Sequence, residues 1–150
     1  MAGFAPKDSD YRAKVEASFA RQAFLATIGA RMTALEPGRC TLDMPTRPDL
    51  AQQHGFVHAG ATTTLADTAA GYAAFSLMPA GSAVLTTEFK VNLLSPAKGE
   101  KLVARAEVIK PGRTLIVVRS DVYGVEGGRE TLVATMLATM ICLAESSDPA

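Results

Sequence analysis

Between residues 50 and 87 the chain carries one carboxylate, Asp67, seven positions after the run Gln52-Gln53-His54-Gly55-Phe56-Val57-His58-Ala59-Gly60. A carbonyl attacked by water needs a base to take the water's proton, and Asp67 is the one carboxylate this stretch offers. If a helix begins near His58, its first N–H groups lack intrahelical acceptors and sit at the positive end of the dipole. Ala59 and Gly60 can then donate to an oxyanion. A base for water and donors for the developing charge together suit hydrolytic attack on a carbonyl. From residue pattern alone, Asp67 reads equally well as the N-cap of a shorter helix beginning at Thr68.

Spacing limits how these groups cooperate. Asp67 and the Gly60 amide lie about 10 Å apart along one helix, whereas a base and an oxyanion donor each work at about 3 Å from one carbonyl. Two antiparallel helices related by a two-fold axis would bring Asp67 of one copy beside the helix start of the other. His54 and His58 stand four apart, a spacing that could share a metal on a helix. Gly55 between them and the lack of a nearby third ligand favour instead a loop histidine and a histidine hydrogen-bonded at the helix start.

The elements that must position these residues follow from periodicity. Residues 9–25 predict an amphipathic helix that packs at the domain edge. Residues 28–35 and 39–44 flank Glu36-Pro37-Gly38 and form a hairpin. Residues 58–78 hold no charge except Asp67 and predict one long helix, buried all round. Gly60, Thr64, Asp67 and Gly71 share one side of it, and Leu65, Ala69, Tyr72 and Ser76 the other. From Ala83 to Leu93, odd positions are mostly apolar and even ones polar, the writing of a strand. Residues 101–108 and 114–123 form a second hairpin around Lys110-Pro111-Gly112-Arg113, and Gly127-Gly128 leads into a last strand at 130–143. Apolar residues on both sides of that strand call for cover on both faces, which implies a second subunit. The whole reads as a single α+β domain over residues 1–150, an antiparallel sheet wrapped around a long central helix, with flexible tails at 1–8 and 144–150.

Composition narrows the class. Fifteen Lys and Arg balance fifteen Asp and Glu, which argues against nucleic acid or an anionic membrane as partner. Cys40 and Cys142 sit far apart in apolar segments, the pattern of reduced thiols and not of a disulfide framework or zinc knuckle. Lys7, Asp8 and Asp10 fall where a secretory signal needs an apolar core, so a cytoplasmic location is expected.

The run from Gln52 to Asp67 resembles the Asn-x-x-Gly-x-x-His-Gly-Gly motif, with an Asp seven residues on, of the hotdog-fold acyl-CoA thioesterases of the phenylacetate-pathway branch. Leu93-Leu94-Ser95-Pro96-Ala97 and Lys110-Pro111-Gly112-Arg113-Thr114 are similar to later segments of that branch, and the likeness extends over residues 24–143. It implies that Asp67 is the catalytic carboxylate, that the Ala59 amide, next to Gly60, forms the oxyanion hole, and that Gln52 orients the attacking water. Thr86 takes the place of a hydroxyl-bearing residue in the following strand. Gln52 lengthens the family's Asn, and Ala59 adds a methyl to the first Gly of His-Gly-Gly while keeping its N–H. Gly55 and His58 would shape the substrate loop, and Lys110 and Arg113 would meet the phosphates of coenzyme A. The resemblance further implies a homodimer or homotetramer with its site at the interface and an aryl- or medium-chain acyl-CoA substrate, and the chemistry needs no metal or redox cofactor. A hotdog hydratase or dehydratase and a non-catalytic acyl-CoA-binding module are the competing expectations.

Overall fold

The computed structural model describes residues 3–144; of the expected tails at 1–8 and 144–150, residues 1–2 and 145–150 lie outside the described residues. Within residues 3–8, Phe4 packs against the core and Asp8 pairs with Lys14 at 3.2 Å.

Six strands form one antiparallel sheet in the order β1-β2-β4-β5-β6-β3. They are β1 (Arg31–Glu36), β2 (Arg39–Pro45), β3 (Ala83–Leu93), β4 (Lys101–Pro111), β5 (Leu115–Glu126) and β6 (Arg129–Leu143). The long helix α3 (Ala59–Phe75) lies across the sheet between β2 and β3 in sequence, with α1 (Tyr11–Ala20) and α2 (Ala23–Ile28) preceding it. This is the hotdog arrangement. Alternate residues of the strands, including Leu42, Met44, Leu102, Ala104, Val118, Val122, Met136 and Met140, are buried on the face that meets α3. Cys40 belongs to that layer, and burial pushes its thiol up to about 12.

Three expectations need correction. The N-terminal helix is not continuous: it breaks at Arg21 and Gln22, where Gln22 takes an extended conformation. The break lets α2 turn Leu25 and Ile28 into the core, whereas α1 alone buries only Val15. Ile28 therefore ends a helix, capped by Gly29 at φ 73°, and β1 starts at Arg31. Second, α3 is not buried all round. Leu65, Ala69 and Tyr72 are buried, Tyr72 against Phe19 of α1, while Gly60, Thr64, Asp67 and Gly71 remain partly or fully open in the single chain. Third, β3 does not alternate throughout. Its register against β6 slips between Thr86 and Glu88, so that Thr86 faces Met140 while Phe89 and Val91 face Ala138 and Met136. A bulge at Thr87 thus puts Thr86 on the same side as Phe89, the side of α3.

β3 is an edge strand, and its outer flank has no neighbour among the described residues. Leu85, Phe89, Leu93 and Leu94 are exposed in or just after it, and Leu137 of β6 is exposed on the outer face. Among the described residues, no helix is long and apolar enough to cross a membrane.

A close backbone approach seats the segment that later carries the site. A Cβ on Gly124 of β5 would lie 2.3 Å from the Lys98 carbonyl oxygen. Residues 94–99 are thereby pressed onto β5, and Ala97 accepts the Val57 N–H at 2.9 Å, which anchors residues 52–58. Gly124→Ala should cost about 2 kcal/mol through this overpacking. A melting temperature lowered by about 4–8 °C is the expected reading in a thermal scan.

Candidate active site

His58 ends an extended approach and caps α3. Its N–H donates to the Leu50 carbonyl at 2.8 Å, and its Nδ1 accepts the Gly60 N–H at 2.8 Å. The His58 carbonyl takes the N–H groups of Ala61 and Thr62 at 3.0 and 3.1 Å. The Gly60 amide is therefore already spent on the cap. The Ala59 N–H has no acceptor among the described residues and is the donor left at the helix start.

The loop before it is short and internally bonded. Ala51 bridges Val57, the Gln52 N–H donates to Phe56 at 2.8 Å, and the Gly55 N–H donates back to the Gln52 carbonyl at 3.0 Å. Gly55 has φ 84°, the left-handed region that a side chain would strain. The Gln52 side-chain carbonyl accepts the His54 N–H, so its oxygen holds the loop and its amide nitrogen is the end left to meet a ligand. Gln52, Ala59 and Thr62 line a cavity of about 410 Å³ with Phe56, Leu93 and Leu94.

Asp67 lies two turns further along α3. The Thr86 hydroxyl donates to its Oδ1 at 2.8 Å, a contact made possible by the bulge in β3. Burial raises the Asp67 carboxyl above the ordinary range, and the Thr86 hydrogen bond draws it partly back. Asp67 and Thr86 share a second cavity, of about 330 Å³, with Thr68, Gly71, Tyr72, Phe75 and Val84 and with Ser18, Arg21 and Gln22 of the N-terminal helices.

The chain thus brings Asp67 and Thr86 together, and Gln52 and Ala59 together, in two separate cavities. Eight residues, about 12 Å, separate Ala59 from Asp67 along α3. Lys110 and Arg113 are exposed at the β4–β5 tip, with no ion pair among the described residues. Thr86, Met140, Ile116 and Pro111 pair in one row across β3, β6, β5 and β4. Three strand spacings, about 14 Å, therefore separate that tip from Thr86. Of the other basic residues of this region, Arg105 forks onto Glu130 at 2.6 and 2.8 Å and Lys101 pairs with Asp43 at 3.1 Å. Among the described residues, no group of three or more His, Cys, Asp or Glu side chains could hold a metal ion.

Sequence reasoning missed the wall supplied by Ser18, Arg21 and Gln22. Neither Gly nor Pro marks the helix break at Arg21 and Gln22, and both residues stay exposed while lining the cavity that holds Asp67.

A six-stranded antiparallel sheet wrapped around one long capped helix defines the hotdog fold. The chain belongs to the thioesterase superfamily, whose family model matches residues 54–131, and it is a thioester hydrolase. It is 55% identical to a thioesterase family protein of Silicibacter pomeroyi, whose crystal structure superposes with a TM-score of 0.88 over 89% of this chain and 98% of that one. The E. coli PaaI protein from the phenylacetic acid degradation operon shares the fold, with a TM-score of 0.82 at 21% identity over 92% of this chain and 96% of that one. A protein of Halobacterium salinarum named as an esterase is 32% identical over 127 residues, covering 81% of this chain and 82% of its own length.

The Asp67–Thr86 contact generates a pH prediction. A base must be ionised, so kcat/KM should fall as pH drops through the raised Asp67 value, above the ordinary aspartate near 3.9. Thr86→Val removes the bond that favours the carboxylate, so the acid limb should move to higher pH, and Thr86→Ser should restore it. A kcat/KM profile checks this; an unmoved limb in Thr86→Val would remove Thr86 from the site.

Proposed function

We propose that the chain hydrolyses aryl- or medium-chain acyl-CoA thioesters, with Asp67 of one copy and the Ala59 N–H of a second copy acting on the same carbonyl. The observation that carries this reading is the half-buried acid held by Thr86 in one cavity while the open amide lines another. One helix cannot bring both to a carbonyl, but two antiparallel copies of α3 can. The unpaired edge of β3, with Phe89 and Leu93 exposed beside it, supports a second copy as the cover. A homodimer is the smallest assembly that meets this need, and a homotetramer contains it.

Asp67 takes a proton from water as the water oxygen bonds to the thioester carbon. The carbonyl oxygen becomes an oxyanion and draws on the Ala59 N–H and the helix dipole. Gln52, through its amide nitrogen, orients the reacting groups. Collapse of the tetrahedral intermediate breaks the carbon–sulfur bond, and the leaving thiolate takes the proton from Asp67. A free acid and coenzyme A result. His58 supports the reaction from behind by fixing the helix start, and Gly55 lets the loop turn toward the substrate.

Asp67→Asn should lower kcat by about 10² to 10⁴ with folding intact. Ala59→Pro is the complementary variant. Ala59 is the first helical residue, where proline is well tolerated, and His58 has φ −60° and ψ 139°, the extended form that precedes proline readily. It deletes the N–H alone and should cost about 10² to 10³ in kcat. Co-refolding the two inactive proteins should regain activity, because each mixed dimer holds one intact site. No recovery in verified mixed dimers would place the site within one chain.

Lys110 and Arg113 are proposed to hold coenzyme A phosphates from the β4–β5 tip. Arg113→Ala should then raise KM for acyl-CoA at nearly constant kcat, since the contact is the same in ground and transition states. The effect should shrink as salt rises. An unchanged KM at low salt would retire Arg113 as a ligand.

A further inference from the structure

Gly71 lies inside α3, where glycine is disfavoured because it gives up more backbone freedom on folding than alanine does. Two ordinary reasons would keep a glycine there, and neither applies. Its φ is not positive, so the backbone conformation does not require it. A Cβ built on it meets no atom within 4 Å, so close packing in the chain does not require it either; on Gly124 the same Cβ would lie 2.3 Å from a carbonyl oxygen. The space left by the missing side chain is part of the Asp67 cavity, which Gly71 lines one turn beyond the acid.

That cavity has a volume of about 330 Å³, at the small end of ligand pockets. It suits an acyl group and leaves no room for the nucleotide arm of coenzyme A. The thioester carbon must come within reach of Asp67, so the acyl chain is the part of the substrate that enters. Gln22 Nε2 donates to the Tyr72 hydroxyl at 2.5 Å, and that hydroxyl lies 3.3 Å from Ser18 Oγ. These polar groups are spent on one another, so the wall they form sorts acyl groups by size and not by hydrogen bonding. Gly71 stands about 6 Å past Asp67 along the helix. With carbon–carbon bonds of about 1.5 Å, a zigzag chain covers that distance in roughly five bonds. Acetyl and butyryl groups end short of Gly71, whereas hexanoyl and phenylacetyl groups lie against it.

We propose that Gly71 is the residue that sets acyl length in this enzyme: the room left by its missing side chain admits acyl groups of about six carbons or a phenylacetyl group, and any side chain there narrows the range to short acyl groups. The inference rests on the thioesterase reading above and adds the residue that decides its substrate range. A methyl on Gly71 takes the volume that the outer acyl carbons occupy, and one methylene of room in an apolar pocket is worth about ten-fold or more in kcat/KM. Because no packing in the chain depends on Gly71, the same methyl should stabilise the fold.

Hydrolysis of acetyl-, butyryl-, hexanoyl- and phenylacetyl-CoA by the unaltered protein, Gly71→Ala and Gly71→Leu tests this, together with the melting temperature and oligomeric state of each. In Gly71→Ala the ratio of hexanoyl to acetyl kcat/KM should fall about ten-fold, and in Gly71→Leu by about 10². The melting temperature of Gly71→Ala should rise by about 1–4 °C, since alanine replaces a helical glycine without a clash. Long-acyl turnover thus falls while stability rises, a combination that a merely structural glycine does not give. An unmoved ratio in both variants overturns the proposal and leaves thioester hydrolysis standing. A lowered melting temperature or a dissociated oligomer in Gly71→Ala also overturns it, because the space at Gly71 then belongs to packing against a second copy. No hydrolysis of any of the four by the unaltered protein overturns the acyl-CoA reading and the role of Gly71 with it.

Discussion

Alanine dominates the face that α3 presses onto the sheet. Ala66, Ala69, Ala70, Ala73 and Ala74 are all fully buried, with Leu65, Tyr72 and Phe75 filling the gaps. Small side chains let the helix lie close to the strands, and close packing of this kind resists rotation and sliding because any shift opens voids. The helix is therefore a fixed ruler. Its first free N–H and its single carboxylate are held apart by the rise of the backbone, and nothing short of unfolding changes that separation.

Both ends of the ruler are tuned by neighbours outside the helix. At the start, His58 competes for the first donors and takes the Gly60 N–H, leaving Ala59 to face outward. Two turns on, partial burial raises the Asp67 carboxyl above the ordinary aspartate value, and Thr86 opposes that shift with one hydrogen bond. Cap and strand thus act on opposite requirements: one donor must stay available, and one acid must stay ionisable.

The strands were legible because alternation of apolar and polar residues is a direct record of a half-buried sheet. Asp67 was legible because it is the one charge in a long apolar stretch. The side that Thr86 faces was not. Strict alternation from Ala83 groups Thr87 with Leu85 and Phe89, and only the slipped register against β6 turns Thr86 toward the acid. A bulge of this sort is decided by pairing with a distant strand, so the local sequence carries little trace of it. The helix break at Arg21 and Gln22 was hidden for a similar reason: no turn-forming residue marks it, and the burial of Leu25 and Ile28 against the body of the protein selects it.

Strand order also fixes when the site can exist. β3 has β6 as its sole neighbour, and β6 is the last strand among the described residues. The hydroxyl of Thr86 can reach Asp67 only after residues near 140 have emerged and been threaded into the sheet. During synthesis the helix and the first hairpin can collapse early, yet the acid waits without its partner until the end. A chain cut short before β6 would lose Val133, Ala134, Met136, Ala138 and Met140 from the core and leave β3 with no strand to hold Thr86 beside Asp67.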